Sequence, residues 1–186
     1  LKNKNILFSY DIGPGNYLID KWVKKKSSFK FDNKGKLANA GKTDLKILNK
    51  FLKDSYYNKK LPKSLDVKKF NLKYLKNLNL KDGCNTLSMV TIKSICKSIK
   101  NLNKAPKIIL FSGGGRKNKF IISKIKKSLK IPIYLIDDFN LNGDFIESQA
   151  FAYLAIRSFL NKYISTPQTT GVRVLCKGGN LYTPKL

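Results

Sequence analysis

The chain has 186 residues, 42% of them hydrophobic, which suits one compact domain, and it contains no apolar run long enough to cross a bilayer. It has no histidine and only three scattered cysteines, which excludes Ser-His-Asp triads, Cys-His pairs, HExxH zinc sites and a disulfide framework. We therefore expect a soluble, cytoplasmic protein in which any catalysis depends on carboxylates, lysine, tyrosine, backbone dipoles or a bound metal.

The formal net charge of +27 is the most unusual feature of the composition. A charge of this size is typical of nucleic-acid-binding proteins, because lysine and arginine neutralise phosphates. Here lysine far outnumbers arginine and is spread through nearly every segment, as a genome rich in A and T would produce on ordinary solvated surfaces. We therefore expect no nucleic-acid partner, although the charge attracts small anionic ligands.

The first part of the chain predicts a strand followed by two helices. The apolar run Ile6–Tyr10 is closed by a tight, glycine-containing segment, which indicates a buried strand ending in a loop. Apolar residues at helical spacing over Tyr17–Val23 predict the first helix, and the Gly- and Asn-containing stretch 29–41 predicts a loop. We expect Thr43 to cap a second helix, whose apolar positions continue to Leu52.

The middle of the chain predicts the alternation of strands and helices found in α/β proteins. A proline-containing loop at 58–66 precedes a long amphipathic helix over 86–102. A strand at 107–112, a helix at 120–129 and a strand at 131–136 follow. This order indicates an α/β fold with mainly parallel strand pairing.

The C-terminal part predicts one more long helix, from about Asp144 to Tyr163. Its apolar stripe is expected at Ile146, Ala150, Phe151, Leu154, Ala155 and Phe159. The tail over 167–186 has turns and no strong periodicity.

Two glycine-containing loops, each between a predicted strand and a predicted helix, are candidate ligand contacts. The first, Asp11–Asn16, reads Asp-Ile-Gly-Pro-Gly-Asn, and the second, Gly113–Asn118, reads Gly-Gly-Gly-Arg-Lys-Asn. Glycine lets the main chain approach a phosphate or nucleoside closely, and the amides of a following helix start attract an anion. A plain strand-to-helix turn is the alternative for each loop. Neither matches GxxxxGKS/T or GxGxxG, which disfavours P-loop and Rossmann sites.

Three carboxylates have both a functional and a structural interpretation. Asp11 follows a predicted strand, where α/β sheets place ligand contacts, so it is either a general base, a water-mediated support for Mg²⁺, or a residue that stabilises its turn. Asp20 lies one helical turn after Asn16 and either joins the site or stabilises the helix start. Glu147, near the start of the last helix, either binds sugar hydroxyls or complements the helix dipole.

Taken together and in order, several strings of this sequence resemble one family. These strings are Asp11–Asn16 with Asp20, Asp32–Gly35 with Gly41, Pro62–Ser64, Thr86–Leu87, Gly113–Asn118, Glu147–Ala152 and Pro167–Gly171. Their order is similar to that in the C-terminal half of the anhydro-N-acetylmuramic acid kinases. The resemblance spans nearly the whole chain, and the combined order is far more specific than any single loop.

The resemblance implies an actin-like ATPase fold of the sugar kinase superfamily, with ATP between two RNase-H-like lobes. Residues 1–186 would be a single C-terminal, nucleotide-binding lobe that lacks its first strand or hairpin. Members of the family open the 1,6-anhydro bond of the sugar with water and transfer the γ-phosphoryl group of ATP to the 6-hydroxyl, giving N-acetylmuramic acid 6-phosphate in peptidoglycan recycling. We expect ATP, Mg²⁺ and an amino sugar as partners, no membrane partner, and allow for a homodimer.

The resemblance also implies individual roles. It assigns the water-activating base to Asp11 and a sugar contact to Glu147. The residues it places around the nucleotide are Gly113, Gly114, Gly115 and Asn118 at the adenosine end, and Gly13, Gly15 and Asn16 at the phosphates.

The chain departs from the family pattern in places. Ile12 stands where threonine is usual, and Arg116–Lys117 and Ser148 are further variants, which affect substrate detail more than reaction class. We find no first phosphate loop and no N-terminal lobe, so we expect this chain alone to be inactive. The alternatives are a kinase of another sugar on the same fold, and a basic, non-enzymatic nucleic-acid-binding domain.

Overall fold

A computed structural model describes residues 9–59, 63–64, 66 and 70–182 of the chain. They form two compact units: the first comprises the described parts of 9–11, 59–64 and 145–182, and the second those of 12–58 and 66–144. Most of the strand predicted at Ile6–Tyr10 lies outside the described residues, and Ser9 and Tyr10 belong to no strand. Much of the loop predicted at 58–66 also lies outside the described residues. Its first residue, Asn58, is the last residue of a 3-10 turn at Ser55–Asn58.

The second unit is built around one long helix. Its helices are α1 (Tyr17–Lys26), α2 (Lys36–Asn39), α3 (Leu45–Leu52), α4 (Leu80–Lys100) and α5 (Lys119–Ser128). α4 packs against the other four. Leu87 and Val90 lie on its buried face, so apolar residues at helical spacing place this helix at the centre of the unit.

Close packing between α1 and α4 depends on a glycine. A Cβ atom added to Gly83 of α4 would lie 2.1 Å from Nε1 of Trp22, which is 1% exposed. The same indole nitrogen donates a hydrogen bond to the carbonyl of Leu80 at 3.1 Å. This contact holds α1 in place, and α1 in turn forms one wall of the cavity described below.

A small parallel sheet completes the second unit. β1 (Ile109–Phe111) pairs with β2 (Ile133–Leu135) in parallel, with Ile109 opposite Ile133, and α5 connects the two strands. A parallel pair needs a crossover connection of this kind. The prediction of an α/β fold with parallel pairing is confirmed at this level.

Two of the predicted helix starts are wrong. Asp44, not Thr43, caps α3: its carboxylate accepts a hydrogen bond from the amide of Ile47 at 2.8 Å, whereas the Thr43 hydroxyl donates to Asn85. α4 begins six residues before Thr86, because the side chain of Asn79 caps it.

The loop predicted at 29–41 is also wrong in part, because it contains α2 and a 3-10 turn at Asn33–Gly35. The two carboxylate oxygens of the buried Asp32 accept hydrogen bonds from the amides of Leu37 and Ala38, at 2.8 and 2.9 Å. These bonds satisfy amides at the start of a helix too short to be evident from hydrophobic spacing.

The first unit contains α6 (Ile146–Phe159), α7 (Pro167–Thr170) and an antiparallel bridge between Ser165 and Cys176. α6 is shorter at both ends than the predicted helix. Phe151 and Phe159, from its expected apolar stripe, are 65% and 71% exposed, so the spacing identified the helix but not a buried face. In the described part of the chain, no helix combines the length and the apolar character needed to span a membrane.

Candidate functional site

A cavity of about 780 Å³ opens beside α1 in the second unit, a size typical of small-molecule sites. Its walls are α1 with the preceding Asn16, the loop 30–34, the loop 114–119, and two residues at the end of β2 and just after it. Of the residues that the structure describes, five lysines line it: Lys24, Lys30, Lys34, Lys117 and Lys119. Because these lysines surround one opening, the cavity suits an anionic ligand.

The two glycine-containing loops meet at this cavity. A Cβ atom added to Gly115 would lie 3.8 Å from Nδ2 of Asn16, so the ends of the two loops are neighbours. Asn16, Gly114 and Asn118 line the cavity, whereas the other predicted nucleotide contacts are not among its lining residues. The structure therefore brings together residues from both predicted loops.

The first loop is fixed to α4. The hydroxyl of Thr91 donates a hydrogen bond to the carbonyl of Gly15 at 2.7 Å, and Gly15 has a positive φ of 55°. A Cβ atom added to Gly13 would lie 3.3 Å from Cβ and Oγ of Ser94. Thr91 lies within the amphipathic helix predicted at 86–102, and sequence reasoning missed this role. A polar residue on the buried face of an amphipathic helix was the available signal.

The second loop presents open main chain. Gly113 has φ 69° and ψ −174°, a conformation essentially restricted to glycine, and its amide donates to the carbonyl of Gly143 at 3.1 Å. A Cβ atom added to Gly113 or Gly114 would have no heavy atom within 4 Å. The loop thus exposes its backbone where a ligand can approach it closely.

Arg116 ties this loop to the segment after β2. Arg116 is buried, with 6% of the residue exposed. Its guanidinium donates to both carboxylate oxygens of Asp137 at 2.6 and 3.0 Å, to Asp144 at 2.8 Å and to the carbonyl of Gly113 at 3.0 Å. A Cβ atom added to Gly143 would lie 2.2 Å from Nε of Arg116, so this position has no room for a side chain. From sequence, Arg116 was noted only as a departure from the family pattern.

The charges around Arg116 stabilise one another. Hydrogen bonds from the guanidinium lower the pKa of Asp137 to about 2. The pKa of Asp144 is lowered as well, by Arg116 and then by Lys117, and the pKa of Arg116 is raised by its bonds to Asp137 and Asp144. All three groups therefore stay ionised at neutral pH.

Asn118 joins the second loop to the loop after α1. Its side-chain oxygen accepts a hydrogen bond from the amide of Ile121 at 3.1 Å and so caps α5. A Cβ atom added to Gly35 would lie 2.2 Å from the same oxygen. Asn118 thus has a structural role in addition to its place in the cavity wall.

Asp20 contributes to the cavity wall one turn after Asn16. Its carboxylate is half-buried and, among the described residues, accepts no hydrogen bond. Burial raises its pKa; Lys24 acts in the opposite direction and Asp32 in the same one. Asp20 lies in the first turn of α1 and also lines the cavity, so both interpretations of Asp20 from sequence remain predictions.

Asp11 and Glu147 belong to the first unit. Asp11 is exposed, and its amide donates to the carbonyl of Lys63 at 3.0 Å. Glu147 is exposed in the first turn of α6. Over the described ranges, no three Asp, Glu, Cys or His side chains cluster closely enough to hold a metal ion. The roles of Asp11 as base and Mg²⁺ support, and of Glu147 as sugar contact, remain predictions.

Comparison with known proteins gives one consistent answer. A family model described as anhydro-N-acetylmuramic acid kinase matches residues 1–184. Proteins of that name from Pelagibacter ubique and Zymomonas mobilis are 46% and 37% identical to the chain over 97% of its length. One from Caulobacter vibrioides is 35% identical over 94% of the chain.

The chain spans about half the length of these relatives, between 47% and 50% of each. The matched range 1–184 contains the two loops that meet at the cavity, and the identities to these relatives lie well above 30%. The chain belongs to the anhydro-N-acetylmuramic acid kinase family.

Proposed function

We propose that the protein is an ATP-dependent kinase of 1,6-anhydro-N-acetylmuramic acid. The observation that carries this proposal is the meeting of the two glycine-containing loops, at Asn16 and Gly115, beside a lysine-lined cavity. Membership of the family and the names of its relatives support the choice of sugar. The cavity volume of about 780 Å³ suits a nucleotide.

In the proposed reaction, Asp11 takes a proton from water as the water oxygen bonds to C1 of the sugar. The bond between C1 and the bridging oxygen breaks, and that oxygen, which stays bonded to C6, attacks the γ-phosphorus of ATP. The bond from the γ-phosphorus to the β–γ bridging oxygen breaks as the new P–O bond forms, so ADP leaves, and Asp11 releases its proton to the solvent. The products are N-acetylmuramic acid 6-phosphate and ADP. A carboxylate is a suitable base in a chain without histidine, and Glu147 is proposed to bind the sugar.

The nucleotide is proposed to lie with its phosphates toward Gly13, Gly15 and Asn16. The amides at the start of α1 and the surrounding lysines would stabilise their charge. The adenosine end would lie along the second loop, whose open main chain allows close approach. The residues proposed for that contact are Gly113, Gly114, Gly115 and Asn118.

As the alternative to its role as base, we propose that Asp11 holds a phosphate-bound Mg²⁺ through water. An exposed carboxylate fits that ion, because Mg²⁺ commonly keeps several waters and takes only one or two carboxylates beside the phosphates. The ion would neutralise charge on the transferred phosphoryl group. Asp11 would orient its water shell.

We propose that residues 1–186 form the C-terminal lobe of an actin-like ATPase and act in the cytoplasm, where ATP is available. The parallel β1–α5–β2 unit supports an α/β lobe of this kind. A homodimer is compatible with this proposal and is not required by it.

The test uses protein expressed from the complete gene. ADP release is measured with ATP and anhydro-N-acetylmuramic acid, and in parallel with N-acetylmuramic acid and N-acetylglucosamine. We expect ADP release with the anhydro sugar, and a product mass equal to the sugar plus one water and one phosphoryl group. Turnover confined to another sugar would contradict the choice of substrate, and no turnover with any sugar would contradict the kinase activity.

A further inference from the structure

The cavity contains two groups that neither glycine loop supplies, an aromatic ring and a carboxylate. Phe31 lines it with 56% of its surface exposed, and Asp20 lines it from α1. We infer that Phe31 stacks on the base of the nucleotide and that Asp20 accepts a hydrogen bond from its ribose. This inference rests on the proposed function and identifies the residues that select a nucleoside triphosphate over a bare polyphosphate.

The order of side chains along α1 matches the order of groups in a nucleotide. Asn16, Asp20 and Lys24 follow one another at four-residue intervals on the cavity side of the helix. Because a helix rises about 1.5 Å per residue, they span roughly 12 Å. With the phosphates at Asn16, a ribose falls about one turn further on, at Asp20, and the base falls beyond it.

The carboxylate of Asp20 is available for a ligand, unlike the two other carboxylates of the cavity. Both oxygens of Asp32 accept hydrogen bonds from the amides of Leu37 and Ala38. Both oxygens of Asp137 accept hydrogen bonds from Arg116. Among the described residues, no group donates a hydrogen bond to the half-buried carboxylate of Asp20, which is unfavourable, so a ribose hydroxyl there would supply the missing donor.

Phe31 sits on a firmly held loop. The next residue, Asp32, is buried and makes two hydrogen bonds to α2. Lys34, two residues after Asp32, has a positive φ of 57°, which is uncommon for a residue other than glycine. Gly35, the next residue, packs against Asn118. A ring exposed to a cavity on such a loop is a preorganised surface for a flat base, and stacking on an aromatic ring is a common way to bind one.

The test measures binding by calorimetry to protein from the complete gene, with three probes: ATP, 2′,3′-dideoxy-ATP and tripolyphosphate. We expect Phe31→Ala to weaken ATP binding by about tenfold or more, the size of one stacking contact, while tripolyphosphate binding stays unchanged. Phe31→Tyr, which keeps the ring, should bind ATP as the unsubstituted protein does. Unchanged tripolyphosphate binding also shows that the variant is folded.

Asp20→Asn should weaken binding of ATP several-fold and leave binding of the dideoxy nucleotide unchanged, because only the first ligand has the hydroxyls that Asp20 contacts. The inference is overturned if the unsubstituted protein binds ATP but neither substitution weakens it, or if each weakens all three probes equally. If the unsubstituted protein does not bind ATP at all, the proposed function fails together with the inference. If it binds ATP and neither substitution weakens that binding, only the inference fails.

Discussion

The guanidinium of Arg116 donates to both carboxylate oxygens of Asp137, from Nε at 2.6 Å and from Nη2 at 3.0 Å. Asp137 follows β2, whereas Arg116 follows the three glycines after β1. This pair therefore fastens the open glycine loop to the end of the neighbouring strand. The shape of the cavity wall therefore depends on Arg116, a residue for which sequence analysis predicted no such role.

We expect Arg116→Lys to lower the midpoint of thermal unfolding by several degrees and to weaken ATP binding. An ammonium group cannot reproduce the planar fork that bonds Asp137 and Asp144 together. The matched control for stability is Lys117→Ala, because Lys117 is exposed and surface ion pairs contribute little. Equal thermal shifts in the two variants, measured by circular dichroism, would contradict the assigned role of Arg116.

The same ion pair predicts a pH dependence of stability. The pKa of Asp137 in the folded state, about 2, lies below the value of about 3.9 for an unfolded aspartate. Asp137 therefore stabilises the fold when it is ionised. That contribution is fully present above about pH 4 and is lost as the pH falls toward 2. The stability difference between the unsubstituted protein and Arg116→Lys should therefore shrink over this interval in denaturant titrations. A difference that stays constant would argue against it.

The packing of Trp22 on Gly83 predicts that Gly83→Ala is destabilising. Alanine favours a helix interior by about 1 kcal/mol over glycine, but the added Cβ would lie 2.1 Å from the buried indole. Overpacking of this kind costs about 1 to 3 kcal/mol, so we expect a net loss. Trp22 is the only tryptophan, so its fluorescence reports the unfolding directly. Unchanged or increased stability would show that α1 and α4 separate without cost.

Neighbouring glycines of the second loop should respond differently to the same change. Gly113→Ala should lower the free energy of unfolding by about 1 to 3 kcal/mol, because its φ of 69° with ψ of −174° strains any other residue. Gly114→Ala has open space and no positive φ, so stability should be retained. Since Gly114 lines the cavity, its variant should instead bind ATP more weakly. Equal free-energy losses in both variants would rule out backbone strain as the cause.

Hydrophobic spacing and glycine placement predicted much of this fold. α1, α3, α5 and the parallel pair β1–β2 lie where periodicity placed them, because each buries an apolar face in the second unit. Boundaries set by side-chain caps were harder to predict. Thr43 and Asp44 are both residue types that commonly cap helices. The Thr43 hydroxyl bonds to Asn85, which is distant in sequence, and Asp44 caps α3 instead.

Local signals also predicted part of the candidate site. Asn16, Gly114 and Asn118 were expected from the two loops, and the structure brings them to one cavity. Arg116 and Thr91 act through contacts to residues more than 20 positions away, Asp137 and Gly15. Sequence spacing carries no information about such pairs, since they meet only after the unit has folded.

We propose that Asp11 activates water in the kinase reaction with anhydro-N-acetylmuramic acid. The most direct measurement is kcat of Asp11→Asn in protein from the complete gene, with Asp54→Asn as the matched control and ATP binding measured alongside. Loss of a general base predicts a fall of about 10²- to 10⁴-fold with ATP binding retained, and no fall in the control. Turnover of Asp11→Asn at the rate of the unsubstituted protein would contradict the role of Asp11 as the base.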